Sequence, residues 1–188
     1  FSHMQHAARA AVATTLSACS AGVTTLAIHV LGKNTPDVSP ALNGILAGLV
    51  SIAGPCAVVD AWASVIIGFV SAFVYFASSR LLLRLKIDDP LDASPVHLFC
   101  GIWGVIAAGL FANKEFTNSV YGTDYGENDY GFLMGANSTQ LGVQVVGVLV
   151  IGSWTFVSAG LVFFTLKATK LLRVSAEDED AGLDSSHH

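Results

Sequence analysis

Apolar residues fall along this chain in long runs, broken by short polar or charged stretches. A membrane helix needs about 20 largely apolar residues, and the runs predict five such helices. Residues 9–31 give the first, with Thr, Ser and Gly interspersed. The second starts at Ala41 and is interrupted at Gly54-Pro55. Residues 61–83 form the third, the clearest by hydropathy; residues 91–112 form the fourth, and residues 141–166 the fifth and longest. The break leaves the second with only a short stretch. Broken helices of this kind occur in transporters, where freed backbone groups line a cavity. The expected fold class is all-α, a polytopic membrane helix bundle.

Composition agrees with the pattern. Of 188 residues 53% are apolar and 12% charged, with a mean hydropathy of +0.61, whereas a soluble domain carries about a quarter charged residues. The alternative is an apolar soluble core with a sticky surface. Charge position then tests the helix count. With alternating spans, Lys33, Arg80, Arg84, Lys86, Lys167, Lys170 and Arg173 all share one side, and only Arg9 and Lys114 fall on the other. The positive-inside rule places that first side, and with it the C-terminus, in the cytosol. Without the second span, Lys33 and the Arg80 cluster would face opposite sides. These basic residues stand beside span ends, so they form no nucleic-acid patch. Residues 1–174 are read as a transmembrane domain and 175–188 as the start of a cytosolic tail. Phe1 is not an initiator and no leader sequence follows it, which reads as a piece of a longer chain.

The polar loop at residues 113–136 falls outside, its Tyr121, Tyr125 and Tyr130 forming an interfacial belt or anchoring the loop. Asn137-Ser138-Thr139 matches the glycosylation sequon but lies too near a helix start for easy modification. Cys19, Cys56 and Cys100 are odd in number and far apart, so they read as small core residues rather than a disulfide framework or a metal site. Gly44, Gly48, Gly101, Gly104, Gly109, Gly142, Gly147 and Gly152 allow helices to approach closely. Hydrolase, nucleotide-binding and zinc-protease motifs do not occur. No enzyme, cofactor or metal is expected.

The informative stretch is Asp88-Asp89-Pro90-Leu91-Asp92, then Ala93-Ser94-Pro95-Val96-His97. Asp89 suits an N-cap, Pro90 the first helical position and Asp92 the third, which places negative charge at the positive end of a helix dipole. Asp89 and Asp92 therefore read as helix caps; shaping the cytosolic exit of a path is their other reading. His97, eight residues past the cap, lies about 12 Å along such a helix, near the middle of a hydrocarbon layer about 30 Å thick. An ionisable group at that depth is a functional candidate by default. It can equally be a neutral imidazole bonded to a neighbouring helix, and depth alone does not decide. Pro95 removes one backbone bond and bends the helix just before the histidine. His29, in the last turn of its run, belongs to the interface, and Asp60 reads as an outer-surface cap.

Together with Cys100-Gly101-Ile102-Trp103-Gly104 and Gly109-Leu110-Phe111-Ala112, this stretch resembles the signature of the ammonium transporter (Amt/Mep/Rh) family. Residues 43–52, 56–60, 140–144 and 182–184 fit the same family in order, so the resemblance runs from about Ala10 to the tail, nearest to the plant and algal branch. The resemblance implies helices seven to eleven of an eleven-helix fold with an inverted repeat, assembled in the plasma membrane as a homotrimer with one pore per subunit. It implies ammonium, ammonia and methylammonium as substrates, with ammonium losing its proton and ammonia crossing a hydrophobic pore. His97 matches the second of two hydrogen-bonded pore histidines; the first belongs to a helix absent from this sequence. Many members have Gly directly after this histidine, whereas Leu98 and Phe99 follow here. The bulkier pair narrows the path or reflects branch-specific packing. An ammonium sensor on the same scaffold is the alternative, its acidic run from Glu177 to Asp180 contacting a partner. A Rh-like gas channel fits the motif style less well.

Overall fold

The computed structural model describes residues 2–32, 38–122, 129–175 and 179, and every regular element among them is helical. Lys33, Tyr125 and the Glu177–Asp180 run other than Glu179 lie outside the described residues, as does the 182–184 motif. The elements are α1 (Ser2–Leu31), α2 (Val38–Ala53), α3 (Ala61–Leu85), a π-helical turn (Ser94–Phe99) that continues into α4 (Cys100–Phe111), α5 (Lys114–Tyr121), a short 3₁₀ turn (Phe132–Met134) and α6 (Thr139–Ala168). Four stretches are long and apolar enough to cross a membrane: Met4–Leu31, Ala61–Leu85, Ser94–Phe111 and Thr139–Ala168. The second predicted span, α2, has 16 residues and is shorter, about 24 Å at 1.5 Å per residue. It stops where Gly54-Pro55 cannot continue it.

The described residues group into two compact units, residues 1–146 and 147–188, the division falling within α6. In the second unit, α6 ends with Lys170 at φ 59°, while Leu171 N–H donates to the Leu166 carbonyl, a left-handed turn that closes a helix end. Arg173 pairs with Glu179 beyond it.

In the first unit the helices run up and down. Ser17 Oγ donates to the Gly48 carbonyl (2.9 Å) and Ser20 Oγ to the Val65 carbonyl (2.8 Å), tying α1 to α2 and to α3. Ser51 Oγ donates to the Cys100 carbonyl (3.1 Å), tying α2 to the start of α4, and Trp103 Nε1–H donates to the Ile67 carbonyl (3.1 Å), tying α4 to α3. These bonds reach backbone carbonyls only because the helices touch at small residues. A Cβ added at Gly48 would stand 2.6 Å from the Ser17 carbonyl oxygen, and one added at Gly104 would stand 2.5 Å from that of Ser51. Apolar surroundings give helices no hydrophobic reason to associate. Close packing and such hydrogen bonds supply it, at about 0.6 to 2 kcal/mol per bond. Cys100 is fully buried in this packing, whereas Cys19 is exposed and Cys56 only partly covered; Cys19 is therefore no core residue of the described bundle.

At one end of the unit, Arg9 stacks 3.5 Å from the Phe116 ring centroid and donates to the Ala57 carbonyl (3.1 Å). α1 itself begins at Ser2, ahead of the run predicted from Arg9. Asn113 holds the same end together. Its Oδ1 accepts from the N–H groups of Glu115 and Phe116, its Nδ2 donates to Asp60 (2.9 Å), and its N–H donates to the Val58 carbonyl (2.7 Å). That cap starts α5 inside what the sequence pattern presents as a loop. Asp60 stands at the N-cap position of α3, yet its side chain caps no N–H and serves Asn113 instead. Arg9 and Lys114 thus share one end, and Arg80, Arg84 and Lys86, at the far end of α3, occupy the other. Asn137 Oδ1 accepts from the Thr139 N–H (2.9 Å), so the sequon residue is engaged in starting α6. Many large apolar side chains on the outer faces are exposed, among them Val23, Leu42, Phe69 and Phe73, a surface suited to lipid or further protein rather than water.

Replacing Gly48 by Ala forces α1 and α2 apart. The expected cost is about 1 to 3 kcal/mol, read as a lower unfolding temperature of the detergent-solubilised full-length parent. An unchanged transition would contradict the close approach.

Candidate functional site

The site is built at the π-helical turn that opens into α4, and the chain reaches it by turning back on itself. Lys86 adopts φ 55° and ends α3, with its own N–H on the Leu83 carbonyl and the Ile87 N–H on the Leu82 carbonyl. Residues 88–92 then return alongside α3. A turn closes from the Asp89 carbonyl to the Asp92 N–H (3.1 Å), with Pro90 at its second position, where a fixed φ is favoured. Pro90 is therefore a turn residue here and not the first residue of a helix.

Asp89 and Asp92 part company in this turn. The Asp89 carboxylate accepts from the N–H groups of Ser94 (2.7 Å) and Ala93 (2.9 Å), the first donors of the helix. Those bonds, the one from Ser94 foremost, hold its carboxyl below the usual carboxylate range. Asp92 is not at a third helical position. It precedes the helix with φ 53°, and its two oxygens accept from Tyr75 OH (2.7 Å) and Ser79 Oγ (2.9 Å) of α3. Tyr75 is 4% exposed and in turn accepts from Asn43 Nδ2 of α2 (3.2 Å). The network Asn43–Tyr75–Asp92–Ser79 is invisible to motif reading, because its members come from three separate runs. A tyrosine and two polar partners inside apolar helices are the only signal the sequence offers for it.

His97 lies in a π-helical turn. The Cys100 N–H reaches back to the Pro95 carbonyl as well as to that of His97, and Pro95 has no N–H of its own to hold a regular ladder. Such one-turn π segments are frequent at functional sites. The extra residue shifts the phase of α4 by about 100°. Val96, Cys100, Gly104, Ala107 and Phe111 face into the unit and are buried, while His97 and Leu98 are exposed. His97 lies four residues after Ala93, where the helix begins, and eight after Asp89, whose carboxylate accepts from its first N–H groups. Its level in the bundle is nevertheless deep, because the start itself is recessed. Asp92 is held at Tyr75 and Ser79, and Cys100 Sγ lies 3.7 Å from the Ser71 carbonyl. His97 therefore stands level with the middle of the 25-residue α3, about 18 Å from either end of that helix.

Two other histidines among the described residues lie elsewhere. His6 Nε2 is 2.8 Å from Ser119 Oγ at the Arg9 end, and His29 is in the last turn of α1. Among the described residues no group of His, Cys, Asp or Glu is arranged to hold a metal ion. Tyr121 is exposed, and Tyr130 lies under Lys114, whose Nζ is 5.6 Å from its ring centroid.

Comparison with known proteins places this geometry. The family model described as Ammonium Transporter Family matches residues 1–188. Ammonium transporter 1 member 1 of Arabidopsis thaliana is 43% identical over 180 residues, covering 96% of this chain and 36% of that protein. The crystal structure of Saccharomyces cerevisiae Mep2 superposes with a TM-score of 0.80 at 27% identity, covering 92% of this chain and 39% of Mep2. A structure described as a sensor Amt protein does so with a TM-score of 0.80 at 31% identity, covering 97% of this chain and 42% of that one. The chain thus spans a little over a third of the length of the curated relatives it matches.

The Asp89 bonds predict a pH signature. A carboxyl whose native value lies below its unfolded value stabilises the fold fully above the ordinary range, about pH 4, and loses this contribution as pH falls through the lowered native value. Asp89→Ala should lower the unfolding temperature of the full-length parent at neutral pH, with the gap between the two closing in acid. A gap that is constant with pH would contradict the assignment.

Proposed function

The chain belongs to the ammonium transporter family, and on that premise we propose that it carries part of a path along which ammonium loses its proton and ammonia crosses an apolar constriction beside His97. The observation that supports this most is the placement of His97: level with the middle of a membrane-length helix, on the one face of its helix that the described bundle leaves open. Since the chain spans about a third of its relatives, the remainder of the parent protein supplies the opposite wall, including a second histidine bonded to the first. Leu98 contributes apolar surface to the same wall as His97.

The physical logic is that a bare ammonium ion loses its hydration in hydrocarbon, a prohibitive cost, whereas ammonia does not carry the charge. A neutral imidazole takes up or relays the proton because small shifts move its protonation through the neutral range. Asp89 and Asp92 lie at the side of the bundle that carries Arg80, Arg84 and Lys86, which the positive-inside rule assigns to the cytosol; there they build the helix start near the exit of the path. The same rule puts the C-terminus inside, with residues 1–174 in the transmembrane domain of a plasma-membrane homotrimer and 175–188 opening the tail. Methylammonium is the tractable substrate analogue.

A sensor or receptor on this scaffold is the second reading, favoured by the likeness to the sensor Amt protein over 97% of this chain. Methylammonium uptake and current in cells expressing the full-length parent separate the two. Transport predicts saturable uptake that His97→Ala lowers by about a hundredfold or more or couples to a different charge per molecule. Uptake and charge unchanged in a folded His97→Ala variant would return the histidine to a packing role. No uptake by an inserted parent would favour the sensor.

A further inference from the structure

The network that ends on Asp92 has a consequence for His97 that neither the motif nor the family assignment contains. Asp92 carries the carbonyl that accepts the first helical bond, from Val96 N–H (3.1 Å), and its φ of 53° is a left-handed conformation, uncommon outside glycine though more accessible to aspartate than to most residues. Both oxygens of its carboxylate are spent on α3, at Tyr75 OH and Ser79 Oγ. Tyr75 acts on the helix start in two ways. Its phenol oxygen joins Asn43 of α2 to Asp92, and its ring packs in one buried cluster with Ala47, Val96 and Cys100. Val96 directly precedes His97, and Cys100 N–H makes the π-turn bond to Pro95. The beginning and end of the turn that carries His97 are thus both seated against the same tyrosine, while His97 itself stays exposed.

We propose that Tyr75 is a positioning residue for His97, fixing through Asp92 the left-handed start and the π-helical turn that set where the imidazole stands. Tyr75 touches neither the path nor the histidine. It acts by removing the alternative in which Asp92 relaxes to ordinary backbone angles, the turn reverts to a regular helix and residue 97 rotates. This inference rests on the transport reading for its effect on flux, but not for its effect on geometry.

The test uses the full-length parent and Tyr75→Phe, which keeps the ring and removes only the hydroxyl; Asp92→Asn is the second variant. Two readouts are taken at matched amounts of folded, inserted protein. The first is methylammonium uptake against concentration and pH. Tyr75→Phe should lower the maximal rate by up to about a hundredfold and change the pH profile, with little effect in a His97→Ala background, since residues acting as one unit are not additive. The second is independent of transport: the rate at which a thiol reagent labels a His97→Cys probe, in a background whose native cysteines are replaced, should rise several-fold when Tyr75→Phe is added. Unchanged labelling in both variants overturns the proposal. A wild-type rate and pH profile in Tyr75→Phe, or losses that add fully to those of His97→Ala, overturn it equally. If the parent shows no uptake, the transport reading fails and the labelling rate alone decides the role of Tyr75.

Discussion

A helix that begins below the end of its neighbour leaves its first N–H groups without intrahelical partners, and the rest of this structure answers that problem. Asp89 accepts from the first two donors, Ala93 and Ser94, and Pro95 has none to offer. A carboxylate serves better than a neutral cap because it also meets the positive end of the helix dipole. The recessed start is what brings an ionisable side chain to mid-bundle within four residues of a helix terminus.

Close helix packing makes the recess possible. Glycines at 48 and 104 bring carbonyls within reach of Ser17 and Ser51, so α1, α2, α3 and α4 are joined by side-chain to backbone bonds along their length. A bundle held this way is rigid against sliding, since each glycine contact is specific to one register. It can therefore hold a turn in a left-handed backbone conformation, as it does at Asp92. The polar network of Asn43, Tyr75 and Ser79 lies where α2, α3 and the recessed start converge, and its members satisfy one another, the condition under which a buried network stabilises.

Much of this is legible in the sequence. Long apolar runs locate the long helices because a spanning helix has a fixed length requirement, and Gly54-Pro55 marks the end of α2. The motif around His97 points to the family to which the chain belongs. Periodicity does not supply the conformation of the 88–92 turn. Asp-Asp-Pro reads as a helix start by every local rule, yet Pro90 serves a turn and Asp92 takes a left-handed backbone, because side chains on α3, distant in sequence, outweigh the local preference. The π-helical turn is hidden for a related reason: Pro95 signals a lost bond but not how the turn accommodates it. Helix α5 is hidden because its start depends on Asn113, whose bonds to Asp60 and Val58 come from the neighbouring break.

In the proposed path, the recessed, π-turned helix start presents His97 to an opposite wall at mid-membrane. A cryo-EM map of the full-length parent in lipid nanodiscs, at a resolution that fixes side chains, is the decisive test. The expected map has a helix beginning at Ala93, Asp92 within hydrogen-bond reach of Tyr75, and a His97 nitrogen about 2.6 to 3.2 Å from a second imidazole. A regular helix starting at Pro90, with His97 turned toward lipid, would refute this arrangement.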